Sequence, residues 1–223
     1  MAALRGGAGL VTVFSPAGAI LVNAAHLTAV MLQRCEDEAE LRAHLEDERL
    51  NAFMLGPDFS ATDLARTFAK TLLSAGRRLV LGADAITAFQ EEPEALFAAA
   101  LEACFDAVVQ ALEEGADAAH SVDPTELLDA MGGAYAALIR DRTLLMLQVH
   151  AQSVADIPEI GDALRAGLAR VTQFARERSA GTDDDVQRFM AYGQLCPLLV
   201  TARLAESPAS WAQLPSHGIR HPD

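Results

Sequence analysis

The feature that most constrains this chain is a change of texture at Glu91-Glu92-Pro93. Before it, short β-type runs alternate with helical runs; after it, strand signals vanish. Gly9-Leu-Val-Thr-Val-Phe14 reads as a buried strand, Pro16 to His26 as a helix, and Leu27 to Leu32 as a second strand. Glu36 to Glu48 is a charged amphipathic helix with Leu41 and Leu45 four apart. Leu50 to Leu55 is a third strand, stopped by Gly56-Pro57. Ser60 is the expected N-cap of a helix that runs to Ala75, and Arg78-Leu-Val-Leu81 is a fourth strand. Strands alternating with helices imply a parallel sheet covered by helices. Half of such a sheet leaves one face poorly covered.

The second part has helical periods only. Leu96, Phe97, Leu101, Cys104, Phe105, Val108, Val109 and Leu112 make one apolar stripe. Asp123-Pro124-Thr-Glu126 has the acid, proline and glutamate of a helix start. Thr143 to Val154 is apolar nearly all round, which predicts a central helix. Pro158-Glu159 opens a helix that Gly181 is expected to break. Asp183-Asp184-Asp185 then places acid at the next N-terminus, and Pro197 interrupts that last helix, expected to end near Leu204. The expected organisation is an α/β segment over residues 1–92, an all-α helical domain over 93–205, and a loose tail over 206–223.

Charge narrows the function classes. Lys+Arg is 17 against Asp+Glu 31, a net of −14 in 223 residues. Lys70 is the only lysine. Residues 1–92 hold 8 basic and 12 acidic residues, net −4, and residues 93–223 hold 9 and 19, net −10. A chain without a basic block is a poor direct reader of nucleic acid and is disfavoured at anionic membrane surfaces. Continuous apolar runs stay below about 18 residues, so no membrane-spanning helix is expected. Cys35, Cys104 and Cys196 are odd in number and far apart, which fits neither a disulfide framework nor zinc spacing, and points to a reduced cytoplasm. His26, His44, His120, His217 and His221 show no shared metal spacing, so no metal is expected.

Gly6-Gly7-Ala-Gly9 precedes its strand instead of following one, so it reads as a flexible turn and not as a phosphate loop. Asp84 follows a strand, where it could touch a ligand or N-cap the next turn. His150 and Tyr135 could line a pocket, or sit as hydrogen-bonded core groups.

Two resemblances join these readings. Ala3-Leu-Arg-Gly-Gly-Ala-Gly-Leu-Val-Thr-Val13, Asn23-Ala-Ala-His26, Leu55-Gly-Pro57 and Ala83-Asp-Ala-Ile86 resemble, in order and spacing, the ADP-dependent NAD(P)H-hydrate dehydratase family over about residues 1–98. The resemblance implies half of a ribokinase-like fold. The implied activity is a lyase repair of hydrated nicotinamide dinucleotides at the expense of ADP or ATP. Gly56, Pro57 and Asp84 would then contact the dinucleotide. The family's Gly-Pro-Gly-Leu-Gly loop reads Gly56-Pro57-Asp58-Phe59-Ser60 here, which loses two glycines and adds a negative charge. The family's Asp-Ala-Asp-Ala-Leu reads Gly82-Ala83-Asp84-Ala85-Ile86, and its Gly-Ser-Gly-Asp segment has no counterpart in the sequence. No catalysis is expected on those grounds.

Glu94-Ala-Leu-Phe-Ala-Ala-Ala100, Asp123-Pro124 through Asp141-Arg142, Leu144 to Ala151, Pro158-Glu-Ile160 and Val186 to Leu204 resemble the sensor and dimerisation domain of TetR-family transcription regulators. That resemblance covers about residues 93–205, and nothing in residues 1–92 is like the family's helix-turn-helix. It implies a homodimer through the last two long helices and a small apolar or amphipathic ligand, with Phe105, Tyr135, Met146 and His150 as the expected pocket. The two resemblances together make the chain read as a chimera, with the non-enzymatic sensor as the leading expectation and the dehydratase homologue as the alternative.

Overall fold

The structure is a computed structural model that describes residues 9–27, 30–56, 59–140 and 142–215. The chain divides into two compact units, Met1–Glu91 and Glu92–Asp223.

The first unit runs β1 (Thr12–Ser15), α1 (Ala17–His26), β2 (Met31–Arg34), α2 (Glu38–Leu45), β3 (Ala52–Leu55), α3 (Asp63–Ser74), β4 (Arg78–Leu81) and α4 (Ala83–Thr87). β1 pairs with β2 in parallel, Thr12 opposite Met31, and β3 with β4, Ala52 opposite Arg78. The expected single parallel sheet is thus two two-stranded ones among the described residues. β1 and β3 meet through stacked Phe14 and Phe53 rings, 6.4 Å between centroids, instead of through a ladder.

α3 supplies the core of this unit: Ala65, Phe68, Ala69, Thr71 and Leu72 are buried. Its buried Thr71 hydroxyl donates to Glu38 Oε1 at 3.0 Å, which ties α3 to α2. The helix starts later than expected. Thr62, not Ser60, is the N-cap and accepts from the Ala65 N–H, while Ser60 lies in the turn before it at φ 64. α1 buries no residue, and Leu21 is 83% exposed. Met54 and Val80, opposite each other in the β3–β4 register, are both exposed, so that sheet face is open.

The second unit holds α5 (Pro93–Ala118), α6 (Pro124–Leu138), α7 (Arg142–Ser153), α8 (Pro158–Ser179) and α9 (Asp183–Thr201), then 3-10 turns at Leu204–Glu206 and Ser210–Gln213. α5, not α7, is the central helix. Leu101, Cys104, Phe105, Val108, Leu112 and Ala116 of α5 are buried against Leu127 and Met131 of α6, Leu145 of α7, Leu164 and Val171 of α8, and Val186 of α9. α7 buries only Leu145, Gln148 and Ala151. α5 and α8 run parallel, because Asp106 pairs with Arg170 at 3.1 Å and Asp117, further along, with Arg178 at 2.8 Å. Contrary to the expectation from apolar runs, α5 is long and apolar enough to cross a membrane, with a mean hydropathy of 1.7 over its best 18 residues. The same apolar residues form the core of this helical unit.

Helix ends follow local chemistry. Asp123 accepts from the N–H groups of Thr125 and Glu126 at 2.9 and 3.0 Å, with Pro124 at the first position. α8 ends at Ala180 in the left-handed region, φ 53, one residue before the glycine expected to break it. Thr182 and Asp185 cap α9 reciprocally. α9 stops at Thr201, four residues after Pro197. The tail expected to be loose over 206–223 carries the Ser210–Gln213 turn in its described part, and Ala212 is buried.

Candidate functional site

Two places gather chemistry, one in each unit. In the first unit, β3 and β4 end side by side. The Gly82 N–H donates to Leu55 O at 2.8 Å, one step beyond the ladder. Gly56 turns away at φ 100, a conformation that side chains resist. A Cβ on Gly82 would stand 3.2 Å from Leu55 O and 3.4 Å from the Gly56 Cα, so the two strand ends touch through bare backbone. Gly82 is also the N-cap of α4, and Asp84 sits in the first turn of that helix. Asp84 is therefore not the N-cap that the sequence allowed. Gly56 follows the C-terminal end of β3, and Asp84 follows that of the neighbouring parallel strand β4, the edge at which open α/β sheets bind ligands. Pro57 and Asp58 fall outside the described residues. Gly82 belongs to this edge and was not among the expected contacts; its signal was the glycine standing where the family has aspartate.

A polar cluster that the sequence did not announce lies at the matching end of β1 and β2. Buried Ser15 accepts from Asn23 Nδ2 at 2.8 Å on its hydroxyl and from the Cys35 N–H at 3.0 Å on its carbonyl. Glu36 accepts from the Ala17 N–H at 2.9 Å, and Arg34 pairs with Glu36 and Glu40 at 2.8 and 3.1 Å. The His44 ring lies 4.6 Å from that of Phe14. Burial, aided by the Glu40 and Asp37 carboxylates, pushes the Cys35 thiol up to about 11, which leaves it a poor nucleophile. Asn23, one of the resemblance residues, thus pins α1 to β1.

In the helical unit, a cleft of about 130 Å³ opens between α6 and α9, lined by Asp129, Gly132 and Tyr135 on one side and Arg188, Phe189, Tyr192, Gly193 and Cys196 on the other. A smaller cavity of about 40 Å³ lies against α5, with Phe105, Val108 and Leu112 in its lining. Tyr135, Phe189 and Gly193 line both. The Tyr135 hydroxyl donates to Gln148 Oε1 at 3.4 Å, and Gln148 Nε2 donates to Leu144 O at 3.5 Å. Burial pushes the Tyr135 phenol well above the usual tyrosine range, and burial also raises the Cys104 thiol, to about 11. Of the expected pocket residues, Phe105 and Tyr135 line these spaces. Met146 and His150 line neither; they share a face of α7 away from Leu145 and Gln148, with His150 exposed. Gly132, Phe189 and Gly193 were missed, because glycine and phenylalanine in an apolar helix carry no sign of which wall they form. No cluster of three or more metal-binding side chains occurs among the described residues.

Residues 1–105 match the Carb_kinase family model, described as NAD(P)H-hydrate dehydratase. The match takes in just under half of the 223 residues and runs past Glu91 into the first turns of α5. No curated protein matches the chain, and no solved structure does. The first unit, with its parallel strands, is thus dehydratase-like in sequence.

Proposed function

We propose that the dehydratase-like segment binds a nicotinamide nucleotide of the NAD(P)H-hydrate type and does not turn it over. The observation that carries this is the family match over residues 1–105. The close approach of Gly56 and Gly82 at one strand-end edge, with Asp84 in the first turn of the helix that Gly82 caps, supports it. A carboxylate there accepts hydrogen bonds from ribose hydroxyls, as acids after α/β strands do. It repels a pyrophosphate, and Asp58 adds to that repulsion in the sequence. The edge therefore fits the nucleoside end of the ligand better than the phosphates of ADP or ATP. No dehydration step follows from these residues, since the sequence carries no Gly-Ser-Gly-Asp segment.

The test is equilibrium dialysis of NADH hydrate against the full chain, together with a dehydratase assay that adds ADP and follows the return of the dihydronicotinamide absorbance. Saturable binding that weakens in Asp84→Ala, without turnover, is expected. ADP-dependent turnover would restore the enzymatic reading, and absence of binding would remove the nucleotide-binding role.

A second reading concerns the helical unit. The cleft and cavity that meet at Tyr135 favour a small-molecule sensor of the kind the TetR resemblance implies. Pairing through α8 and α9 would accompany it. The exposed side of α8 carries Arg165, Arg176 and Glu177, so that part of a two-fold contact would be polar.

A further inference from the structure

The geometry points to the α6–α9 cleft as a binding site for a flat, lipophilic organic cation. This deepens the sensor reading of the helical unit and rests on it. The first observation is a contrast among glycines in the helices of this unit. At Gly115, Gly161 and Gly167 an added Cβ would strike a neighbour, at 2.7 Å from Ala134 Cβ, 2.4 Å from Ala155 O and 2.0 Å from Phe105 Cδ2. Close packing explains those three. At Gly132 and Gly193 an added Cβ would meet nothing within 4 Å. Glycine weakens a helix relative to alanine, and at these two positions no tight contact is gained in return. Both line the same cleft, one from each wall. An alanine at either would add a methyl group to the cleft wall where the glycine leaves open space.

The second observation is the chemistry of the lining. Tyr135, Phe189 and Tyr192 offer aromatic surface to a planar guest. Two carboxylates, Asp129 and Asp185, stand against one guanidinium, Arg188. Asp185 Oδ1 lies 3.7 Å from Arg188, and its Oδ2 is held by the Thr182 cap. Asp129 has no ion pair among the described residues. Aromatic faces beside an uncompensated carboxylate attract cations. The acidity of the region, net −10 over residues 93–223, raises the local concentration of cations and lowers that of anions. The smaller cavity behind Tyr135 and Phe189 gives the apolar end of such a molecule somewhere to go.

The experiment titrates the full chain with ethidium, a planar organic cation, by fluorescence anisotropy, beside the anionic dye anilinonaphthalene sulfonate. Saturable ethidium binding is expected, with the anion at least about tenfold weaker. Asp129→Asn should weaken ethidium severalfold. Gly193→Ala and Gly132→Ala should each weaken it about tenfold while the melting temperature holds or rises, an effect opposite to that of a residue needed only for packing. If both alanine variants bind as the parent does, the dye sits elsewhere and the proposal falls. If the anion binds as tightly and remains sensitive to Gly193→Ala, the cation assignment falls while the sensor reading stands. If neither dye saturates, the cleft site and the sensor reading fall together.

Discussion

Gly167 shows how much one atom weighs in the helical unit. It lets α8 lie on the Phe105 ring of α5, and a methyl group there would be 2.0 Å from the ring. Phe105 is almost wholly buried, so the ring has little room to move aside. Gly167→Ala should destabilise the protein by about 2–3 kcal/mol in a urea titration; an unchanged midpoint would mean that the two helices slide freely. Cys104 carries a pH dependence. Burial holds its thiol up at about 11 against an ordinary 9.0, so the fold favours the protonated form. A raised pKa gives stability that is complete below about pH 9 and is lost as pH rises through 11. Denaturation midpoints should fall across that window, and Cys104→Ala should reduce the fall in part, since the Cys35 thiol is also raised to about 11. At this scale, the candidate site residues legible in the sequence were those whose type implies chemistry, such as Tyr135 and Asp84. Gly82, Gly132 and Gly193 were not, because what matters about them is the space they leave, and that depends on the neighbouring element.

Elements were legible where a local rule decides them. Asp123-Pro124 and Thr182-Asp-Asp-Asp185 name their helix starts from within four residues, and both caps stand in the structure. Removing the α9 cap with Thr182→Ala should cost about 1 kcal/mol and increase amide exchange in the first turn of α9; equal exchange in both proteins would deny the cap its role. Misreadings arose where two local rules compete. Ser60 and Thr62 are both good caps, and only the positive φ of Ser60 removes it from the helix. The run from Thr143 to Val154 looks apolar all round, yet Leu144, Met146, Leu147 and Val149 are only half-buried, while α5 takes the centre. Hydrophobic content alone does not say which of several apolar helices is surrounded, since that depends on partners distant in sequence. Three of the four strands lie where the sequence pattern puts them, whereas β2, expected over Leu27 to Leu32, is Met31–Arg34; the pairing into two ladders was not legible, because four-residue strands carry too little pattern to fix which neighbours they choose.

For the whole molecule, the change of texture at Glu91-Glu92-Pro93 sits where the structure divides, and the family match crosses that point by fourteen residues, from 91 to 105. The dehydratase-like sequence therefore includes the start of α5 with Leu101, Cys104 and Phe105, while Val108, Leu112 and Ala116 of the same buried stripe lie beyond it. A parallel sheet of two strands without a cover on both faces leaves the β3–β4 face open at Met54 and Val80. The central claim is that nicotinamide-nucleotide recognition sits at the strand ends of the first unit. Amide hydrogen exchange of the full chain, with and without NADH hydrate, tests it most directly. Slower exchange at Gly56 and from Gly82 to Thr87, with α6 and α9 unchanged, is the predicted result. Protection confined to α6 and α9, or none anywhere, would contradict it.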